Sequence, residues 1–208
     1  MPPRGLFVTL EGGEGAGKSV QARALARRLE EHRLPHLLTY EPGGTELGLR
    51  LRELLMDPAI ELSPWGELFL FAADRAQHVG EVIAPALAEG KVVVCERFND
   101  STIAYQGYGR GLPLEQVRQV CRAAAANVVP DLTFLLDVPP DVGLARKTGD
   151  DDRFRYQALD FHQRVRQGYL ALAREEPARI VVVDATLPVA EVTEALWERL
   201  QALLLARP

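Results

Sequence analysis

The sequence has few of the residues that build disulfides or zinc sites. Its 208 residues include two cysteines, Cys95 and Cys121, which lie in apolar surroundings and form no C-x-x-C pair. We expect both to be buried thiols, which fits a cytoplasmic protein. The four histidines do not have the spacing of metal ligands, so no metal held by histidine or cysteine is expected.

Long apolar runs and an excess of positive charge are also missing. No run approaches the ~18 apolar residues that a membrane span needs, and the first residues, Met1-Pro2-Pro3-Arg4, do not resemble a signal peptide. The formal net charge of −5 at pH 7 argues against a general nucleic-acid binder. These absences predict a cytoplasmic protein that binds neither membranes nor nucleic acids.

The chain reads as one domain over residues 1–208, without internal repeats, low-complexity segments or a linker. Strand and helix patterns alternate throughout, which predicts an α/β fold with a five-stranded parallel sheet covered by helices on both faces. The predicted strands are Leu6–Leu10, His36–Tyr40, Lys91–Cys95, Leu132–Asp137 and Arg179–Asp184. Ligands in such folds bind at the carboxyl ends of the strands.

A glycine-rich loop follows the first predicted strand. Residues Gly12 to Ser19 match G-x-x-x-x-G-K-[ST] in full, with a strand before them and a helix after them. Backbone N–H groups of such a loop face a polyphosphate, the lysine reaches the β- and γ-phosphates, and the hydroxyl binds Mg²⁺. The predicted ATP-binding residues are Gly12, Gly13, Glu14, Gly15, Ala16, Gly17, Lys18 and Ser19.

A phosphate-binding loop alone does not distinguish a kinase from a GTPase switch or a motor ATPase. The chain has no N-K-x-D stretch, which counts against a guanine-specific switch. Glu96 and Arg97 come directly after the third predicted strand, beside the loop, where a carboxylate can support Mg²⁺ and an arginine can bind phosphate. Ser19 and Glu96 are therefore the candidate metal residues.

Several blocks of the sequence together resemble the thymidylate kinases, the dTMP kinases of the P-loop nucleoside-monophosphate kinase group. The blocks are Glu11 to Ser19, Glu41-Pro42-Gly43-Gly44-Thr45, Phe71-Ala72-Ala73-Asp74-Arg75, Glu96-Arg97-Phe98 with Ser101 to Gly107, and Phe161 to Tyr169. The resemblance implies a three-layer P-loop kinase fold, transfer of the γ-phosphoryl group of MgATP to dTMP in dTTP synthesis, and a homodimer. ATP and dTMP are thus the expected partners, with Mg²⁺ as cofactor.

The acceptor side is assigned mainly through this resemblance. Phe71 and Arg75 are spaced i, i+4, so a ring and a guanidinium lie on one helix face, able to stack on a pyrimidine and to donate to its exocyclic oxygen. Arg97 resembles the arginine that holds the acceptor phosphate, and Arg52 matches a second such arginine. The residues implied for dTMP binding are Glu14, Arg52, Phe71, Arg75, Arg97, Ser101, Thr102, Tyr105 and Gln106.

A short lid is expected at about residues 147–156. Some family members carry an arginine inside the phosphate loop, whereas others have glycine there and supply basic residues from the lid. This chain has Gly15, so the lid region should supply the charge, from Arg146, Lys147, Arg153 or Arg155. Arg153 matches the family's lid arginine best. The implied catalytic residues are Lys18, Glu96, Arg97 and Arg153.

Three positions depart from the family pattern. Glu96 stands where an aspartate is usual, Tyr40 precedes the E-P-G-G-T block where an arginine is common, and Arg155 stands where a glutamate is common. Two alternatives to a dTMP kinase remain from the residues themselves. One is a kinase for another nucleotide or nucleoside, and the other is a nucleotide-dependent switch or regulatory ATPase.

Overall fold

The computed structural model describes residues 4–146, 153–154 and 156–206. Its five strands form one parallel sheet in the order β2-β3-β1-β4-β5. Each strand agrees with its predicted bounds to within one residue, and the α/β prediction is confirmed. The strands are β1 Leu6–Glu11, β2 His36–Tyr40, β3 Val92–Glu96, β4 Leu132–Asp137 and β5 Ile180–Asp184.

Helices occupy most of the connections. They are α1 Lys18–Glu31, α2 Glu46–Met56, α3 Pro64–His78, α4 Ala84–Ala88, α5 Asn99–Thr102, α6 Leu114–Ala124, α7 Pro140–Arg146, α8 Leu159–Glu175 and α9 Val189–Leu205. Two π-helical segments, Val79–Ile83 and Ile103–Gly109, follow α3 and α5. Helices α2 and α3 begin with side-chain N-caps, because Thr45 Oγ1 accepts from Gly48 N at 2.9 Å and Ser63 Oγ accepts from Gly66 N at 3.1 Å.

Two features differ from the sequence prediction. The sequence pattern predicts a long helix from about Tyr156 to Glu175, whereas α8 begins at Leu159. The chain after β3 also winds into α5 and a π-helical segment, which the sequence pattern did not indicate. Each hydrogen bond of a π-helical turn spans one residue more than in an α-helix, so the side chains do not follow the 3.6-residue period by which a helix is recognised in a sequence. Such turns often occur at functional sites.

The sheet is the middle of three layers. On one face, α1 and α9 pack Leu25, Leu29 and Leu196 onto β1 and β4. On the other face, α8 and the second π-helical segment pack around Tyr105 and Tyr169. No helix within the described residues is long and apolar enough to cross a membrane.

The register of the sheet brings the predicted functional segments to one edge. In the parallel ladder Leu10 pairs with Glu96, and Tyr40 pairs with the same residue from the other side. The glycine loop after β1, the turn after β2 and the Glu96-Arg97 pair after β3 therefore meet at the carboxyl edge.

Candidate active site

A cleft of about 820 Å³ opens at the carboxyl edge of the sheet. It runs from the glycine loop to the side chain of Phe71 on α3. Every residue predicted for dTMP binding lines it, together with the loop from Glu14 to Ser19 and with Glu96. The predicted acceptor residues thus share one continuous space with the predicted donor residues from Glu14 to Ser19, whereas Gly12 and Gly13 do not line it.

The glycine loop is shaped by backbone conformations that favour glycine. Gly15 has φ 65° and Gly17 has φ 86°. A Cβ on Gly15 would overlap the backbone of Gly143 in α7, so the loop lies against that helix without room for a side chain. The loop backbone is therefore fixed before any phosphate arrives.

Lys18 is folded over this loop. Its Nζ donates to Gly12 O at 3.0 Å and to Gly13 O at 2.7 Å. Burial of the ammonium group, with the nearby charge of Arg97, lowers the pKa of Lys18 to about 7. A polyphosphate would supply the negative charge that the two carbonyl oxygens only partly replace.

Ser19 and Glu96 lie close enough to serve one metal ion. Ser19 Oγ donates to Glu96 Oε2 at 2.6 Å. Hydroxyl and carboxylate oxygens are the ligands that Mg²⁺ prefers, so this pair fits the expected ion. Across the described part of the chain, no three His, Cys, Asp or Glu side chains form a metal-binding cluster.

Arg97 lies between the loop and the acceptor end of the cleft. Its backbone has φ 66°, which is uncommon outside glycine. Its Nη2 is 2.9 Å from Glu14 Oε1, and its Nη1 donates to Ser101 Oγ at 3.3 Å. Tyr105 Oη donates to the same Glu14 oxygen at 2.8 Å, and the Tyr105 ring lies 5.1 Å from the guanidinium. The guanidinium is held in place from several sides.

Glu11 supports this arrangement and was not predicted as a site residue. Its Oε1 accepts from Phe98 N at 2.7 Å, and its Oε2 accepts from the hydroxyls of Ser101 and Tyr169 at 2.5 and 3.2 Å. Burial, with the nearby charge of Asp100, raises the pKa of Glu11 to about 7. The signal available in the sequence was a carboxylate at the end of a largely apolar strand.

Arg75 lies at the other end of the cleft and is almost completely buried, with 1% of its surface exposed. Its Nε donates to Glu41 Oε2 at 2.9 Å, and its Nη1 donates to Thr102 Oγ1 at 3.0 Å. The ring of Phe98 lies 5.1 Å from the guanidinium. Phe71 lines the cleft one helical turn away, as its spacing predicted.

An aromatic wall borders the cleft between these two ends. Phe154, which was not predicted, is 5% exposed and lies 5.6 Å from the Tyr105 ring and 6.2 Å from the Phe71 ring. Gln106 is buried beside it and donates to Glu67 Oε1 at 2.8 Å. Phe154 follows the predicted lid arginine directly, and its signal in the sequence was an aromatic residue within a polar segment.

The basic residues near the lid lie in different places. Arg153 Nη2 donates to Glu67 Oε2 at 2.6 Å, beside Arg110, which contacts the same carboxylate. Arg146 lines the cleft and donates to Ala185 O at 2.7 Å. Lys147 and Arg155 lie outside the described residues. The catalytic role of Arg153 therefore stays a prediction, with its side chain placed on Glu67.

Arg52 and Tyr40 explain one departure from the family pattern. Arg52 Nη1 donates to Pro42 O at 3.0 Å, and its guanidinium lies 5.8 Å from the Tyr40 ring. Both residues line the cleft. The aromatic ring at position 40 thus packs against an arginine that comes from α2, in place of an arginine on β2 itself.

Comparison with known proteins gives a consistent result. The thymidylate kinase family model matches residues 10–196. A thymidylate kinase of Synechococcus sp. (strain JA-2-3B'a(2-13)) is 56% identical over 194 residues, which cover 92% of each chain. The thymidylate kinase of Deinococcus radiodurans is 49% identical over 196 residues, which cover 93% of this chain and 95% of that protein.

A solved structure extends the similarity to the fold. The crystal structure of thymidylate kinase from Ehrlichia chaffeensis superposes with a TM-score of 0.77 at 35% identity, covering 95% of this chain and 99% of that one. The sequence relatives and the structure thus favour neither the nucleoside-kinase nor the switch alternative. The chain therefore belongs to the thymidylate kinase family and transfers a phosphoryl group to dTMP.

Proposed function

We propose that this kinase binds MgATP at the glycine-loop end of the cleft and dTMP at the Arg75 end. The observation that supports this most directly is the continuity of the cleft, which joins Lys18 and Ser19 to Phe71 and Arg75. An acceptor phosphate bound beside Arg97 would then face the γ-phosphate of ATP. The reaction converts MgATP and dTMP to ADP and dTDP.

On the donor side, the loop from Gly12 to Ser19 receives the phosphates of ATP. Its N–H groups and the start of α1 offer hydrogen bonds and partial positive charge. Lys18 turns from the carbonyls of Gly12 and Gly13 to the β- and γ-phosphates. Ser19 and Glu96 would hold Mg²⁺, which would neutralise phosphate charge. The longer side chain of Glu96 reaches Ser19 at 2.6 Å, so it can serve where an aspartate is usual.

On the acceptor side, the base of dTMP lies against Phe71 and within reach of Arg75. A guanidinium only donates hydrogen bonds, so it pairs with the carbonyl oxygens of thymine. Thr102 and Gln106 lie by the base, and Tyr105 by the sugar. Phe154 adds a third ring to this pocket.

At the phosphate end, Arg97, Glu14, Ser101 and Arg52 position the acceptor phosphate. That phosphate is already an anion, so the transfer needs positioning and charge stabilisation rather than a general base. We propose a single kinase domain with a lid at about residues 147–156, in which Arg153 stabilises the charge of the moving phosphoryl group. To do so, Arg153 exchanges Glu67 for the phosphate oxygens.

We also propose a cytoplasmic homodimer that associates through α2 and α3. These helices pack on each other and carry exposed apolar side chains, with Leu47 44%, Leu54 45% and Phe69 56% exposed. Trp65 stacks on Phe69 at 5.9 Å. Sedimentation of the protein and of Phe69→Glu tests this, because a charge in an apolar dimer contact would leave a monomer.

The first experiment couples ADP release to an optical signal with dTMP, dUMP, dCMP, dAMP and thymidine offered separately. We expect turnover to be strongest with dTMP and to require Mg²⁺. Turnover with thymidine but not with dTMP would remove the role of Arg97. If no acceptor gives turnover, only the assignment of the glycine loop to phosphate binding would remain supported.

A further inference from the structure

A chain of buried polar groups lies behind Arg75. Glu41 Oε2 accepts from Arg75 Nε at 2.9 Å, and Arg75 Nη2 lies 2.8 Å from the same oxygen. The other carboxylate oxygen of Glu41 is 3.0 Å from His78 Nδ1. His78 Nε2 is 2.6 Å from Thr39 Oγ1. All four residues are buried, so the chain connects the cleft to β2 through the interior of the protein.

The turn after β2 leaves Glu41 little freedom. Gly43 N donates to Asp74 Oδ1 at 3.1 Å, which ties the turn to α3. A Cβ on Gly44 would overlap the His78 ring, so that ring and the turn are in direct contact. Asp74 and His78 from one helix thus hold the same turn, and the carboxylate of Glu41 is fixed between them and Arg75.

Arg75 is in consequence held from two sides. Glu41 binds the Nε edge, while Thr102 accepts from Nη1 at 3.0 Å. A planar guanidinium bound at both edges has a fixed plane and a fixed direction for its remaining donors. Because a guanidinium offers donors and no acceptor, a fixed orientation favours a base with a carbonyl oxygen and disfavours one with an amino group there.

We propose that Glu41, with His78 and Thr39 behind it, is a positioning unit that orients Arg75 and thereby selects acceptors by the carbonyl oxygen of their base. Glu41 acts through Arg75 and also keeps this buried cation paired when the cleft is empty. The proposal rests on the assignment of the base to the Arg75 end of the cleft.

The test compares Glu41→Gln, Glu41→Asp and His78→Gln with the parent protein. Steady-state rates with dTMP, dUMP and dCMP give the preference for a carbonyl over an amine, and the KM for ATP and the Tm are measured alongside. For Glu41→Gln we expect the KM for dTMP to rise about tenfold or more and the preference for dTMP over dCMP to fall by a similar factor. The kcat and the KM for ATP should change less than about twofold.

The other two variants should change the preference for dTMP over dCMP by smaller factors. Glu41→Asp keeps the charge on a shorter stem and should recover part of the preference, whereas His78→Gln should shift it in the same direction by a smaller factor. Asp131→Asn is the matched control, because that carboxylate accepts from Phe7 N at 2.8 Å at the opposite edge of the sheet. It should leave the preference unchanged. If Glu41→Gln does not fold, His78→Gln and Glu41→Asp decide the question.

Two results would overturn the proposal. One is a lower Tm with an unchanged preference for dTMP over dCMP, and the other is a rise in the KM for ATP as large as that for dTMP. The variant Arg75→Ala distinguishes a failure of the positioning role of Glu41 from a wrong assignment of the base-binding pocket. If the base preference is lost in Arg75→Ala but kept in Glu41→Gln, only the positioning role of Glu41 is wrong. If both variants keep the preference, the assignment of the base to the Arg75 end of the cleft is wrong.

Discussion

The two ends of the cleft are built from different parts of the chain. At the phosphate end, backbone conformation does most of the positioning, with Gly15 and Gly17 at positive φ and Arg97 at φ 66°. At the base end, side chains do it, with Arg75 bound between Glu41 and Thr102. A phosphate is recognised by charge and N–H groups that any backbone can offer, whereas a base needs donors aimed in one direction.

The arginines at the two ends, Arg97 and Arg75, also differ in solvent exposure. The side chain of Arg97 is 21% exposed and pairs with Glu14, which is itself in the cleft. The side chain of Arg75 is 2% exposed and pairs with a carboxylate buried to the same degree. Arg97 can exchange its partner for an arriving phosphate, while Arg75 is held in one orientation. Substitutions at the two ends should therefore produce different kinetic defects.

The largest effect is expected from Lys18→Ala at the phosphate end. Removing the ammonium group takes away a charge that meets the β- and γ-phosphates, so kcat should fall by about 10²–10³-fold or more while the protein stays folded. Lys91→Ala is the control, since Lys91 forms an exposed pair with Glu89 and lies before β3 at the far edge of the sheet. Stopped-flow or coupled assays with matched circular dichroism spectra measure this. Near-normal turnover in a folded Lys18→Ala protein would remove its assigned role.

The next largest effect is expected from Arg97→Gln. The variant loses the charge that we propose positions the acceptor phosphate, and kcat/KM for dTMP should fall about 10²-fold, mostly in kcat. ATP binding, measured by titration, should stay close to that of the parent protein. Arg118→Gln, which breaks an exposed pair with Glu175, serves as the control. A defect confined to ATP binding would show that Arg97 contacts ATP rather than the acceptor phosphate.

The contrast between the two ends also explains what could be predicted from the sequence. The phosphate end is encoded in a short local motif, and Lys18, Ser19 and Glu96 were predicted as site residues from that motif and from one strand end. The bounds of β1, β3 and β4 were predictable because these buried parallel strands are largely apolar runs. The base end draws on β2, α3 and the segment after α5, which are far apart in the sequence. Its residues could be assigned only through resemblance to a family.

The missed residues share a physical reason. Glu11, Glu41 and Phe154 act through contacts with residues distant in the chain, Tyr169, Arg75 and Phe71 among them. No periodicity marks such a contact. The π-helical segment after α5 was missed because its side chains do not follow the helical period, although it carries Tyr105 and Gln106 into the cleft.

A smaller effect is expected at the base end when the thymine methyl group is removed from the acceptor. A single methyl group in an apolar pocket contributes about 1–3 kcal/mol, so dUMP should be used with kcat/KM roughly tenfold or more below that of dTMP. In the proposed complex the carbonyl that faces Arg75 is the same in both bases, so the difference should not depend on Glu41. Measuring the dTMP-to-dUMP ratio in the parent and in Glu41→Asp tests this. A ratio that collapses in the variant would show that the methyl and carbonyl contacts are not separate.

The smallest expected effect is a change in proton binding, and it is confined to the phosphate end. Burial lowers the pKa of Lys18 to about 7 in the free protein, so most molecules carry a neutral amine at pH 8. A bound triphosphate favours the charged form and raises this pKa, so ATP binding at pH 8 should take up a proton, at most one per site. Calorimetric titration in two buffers with different ionisation enthalpies measures the uptake, and Lys18→Met should abolish it.

At pH 6 the amine is already protonated and the uptake should nearly vanish, whereas dTMP binding to the preformed Arg75 pocket should show no such lysine-dependent uptake at either pH. Equal proton uptake in the parent and in Lys18→Met would assign the proton to another group and leave Lys18 charged throughout.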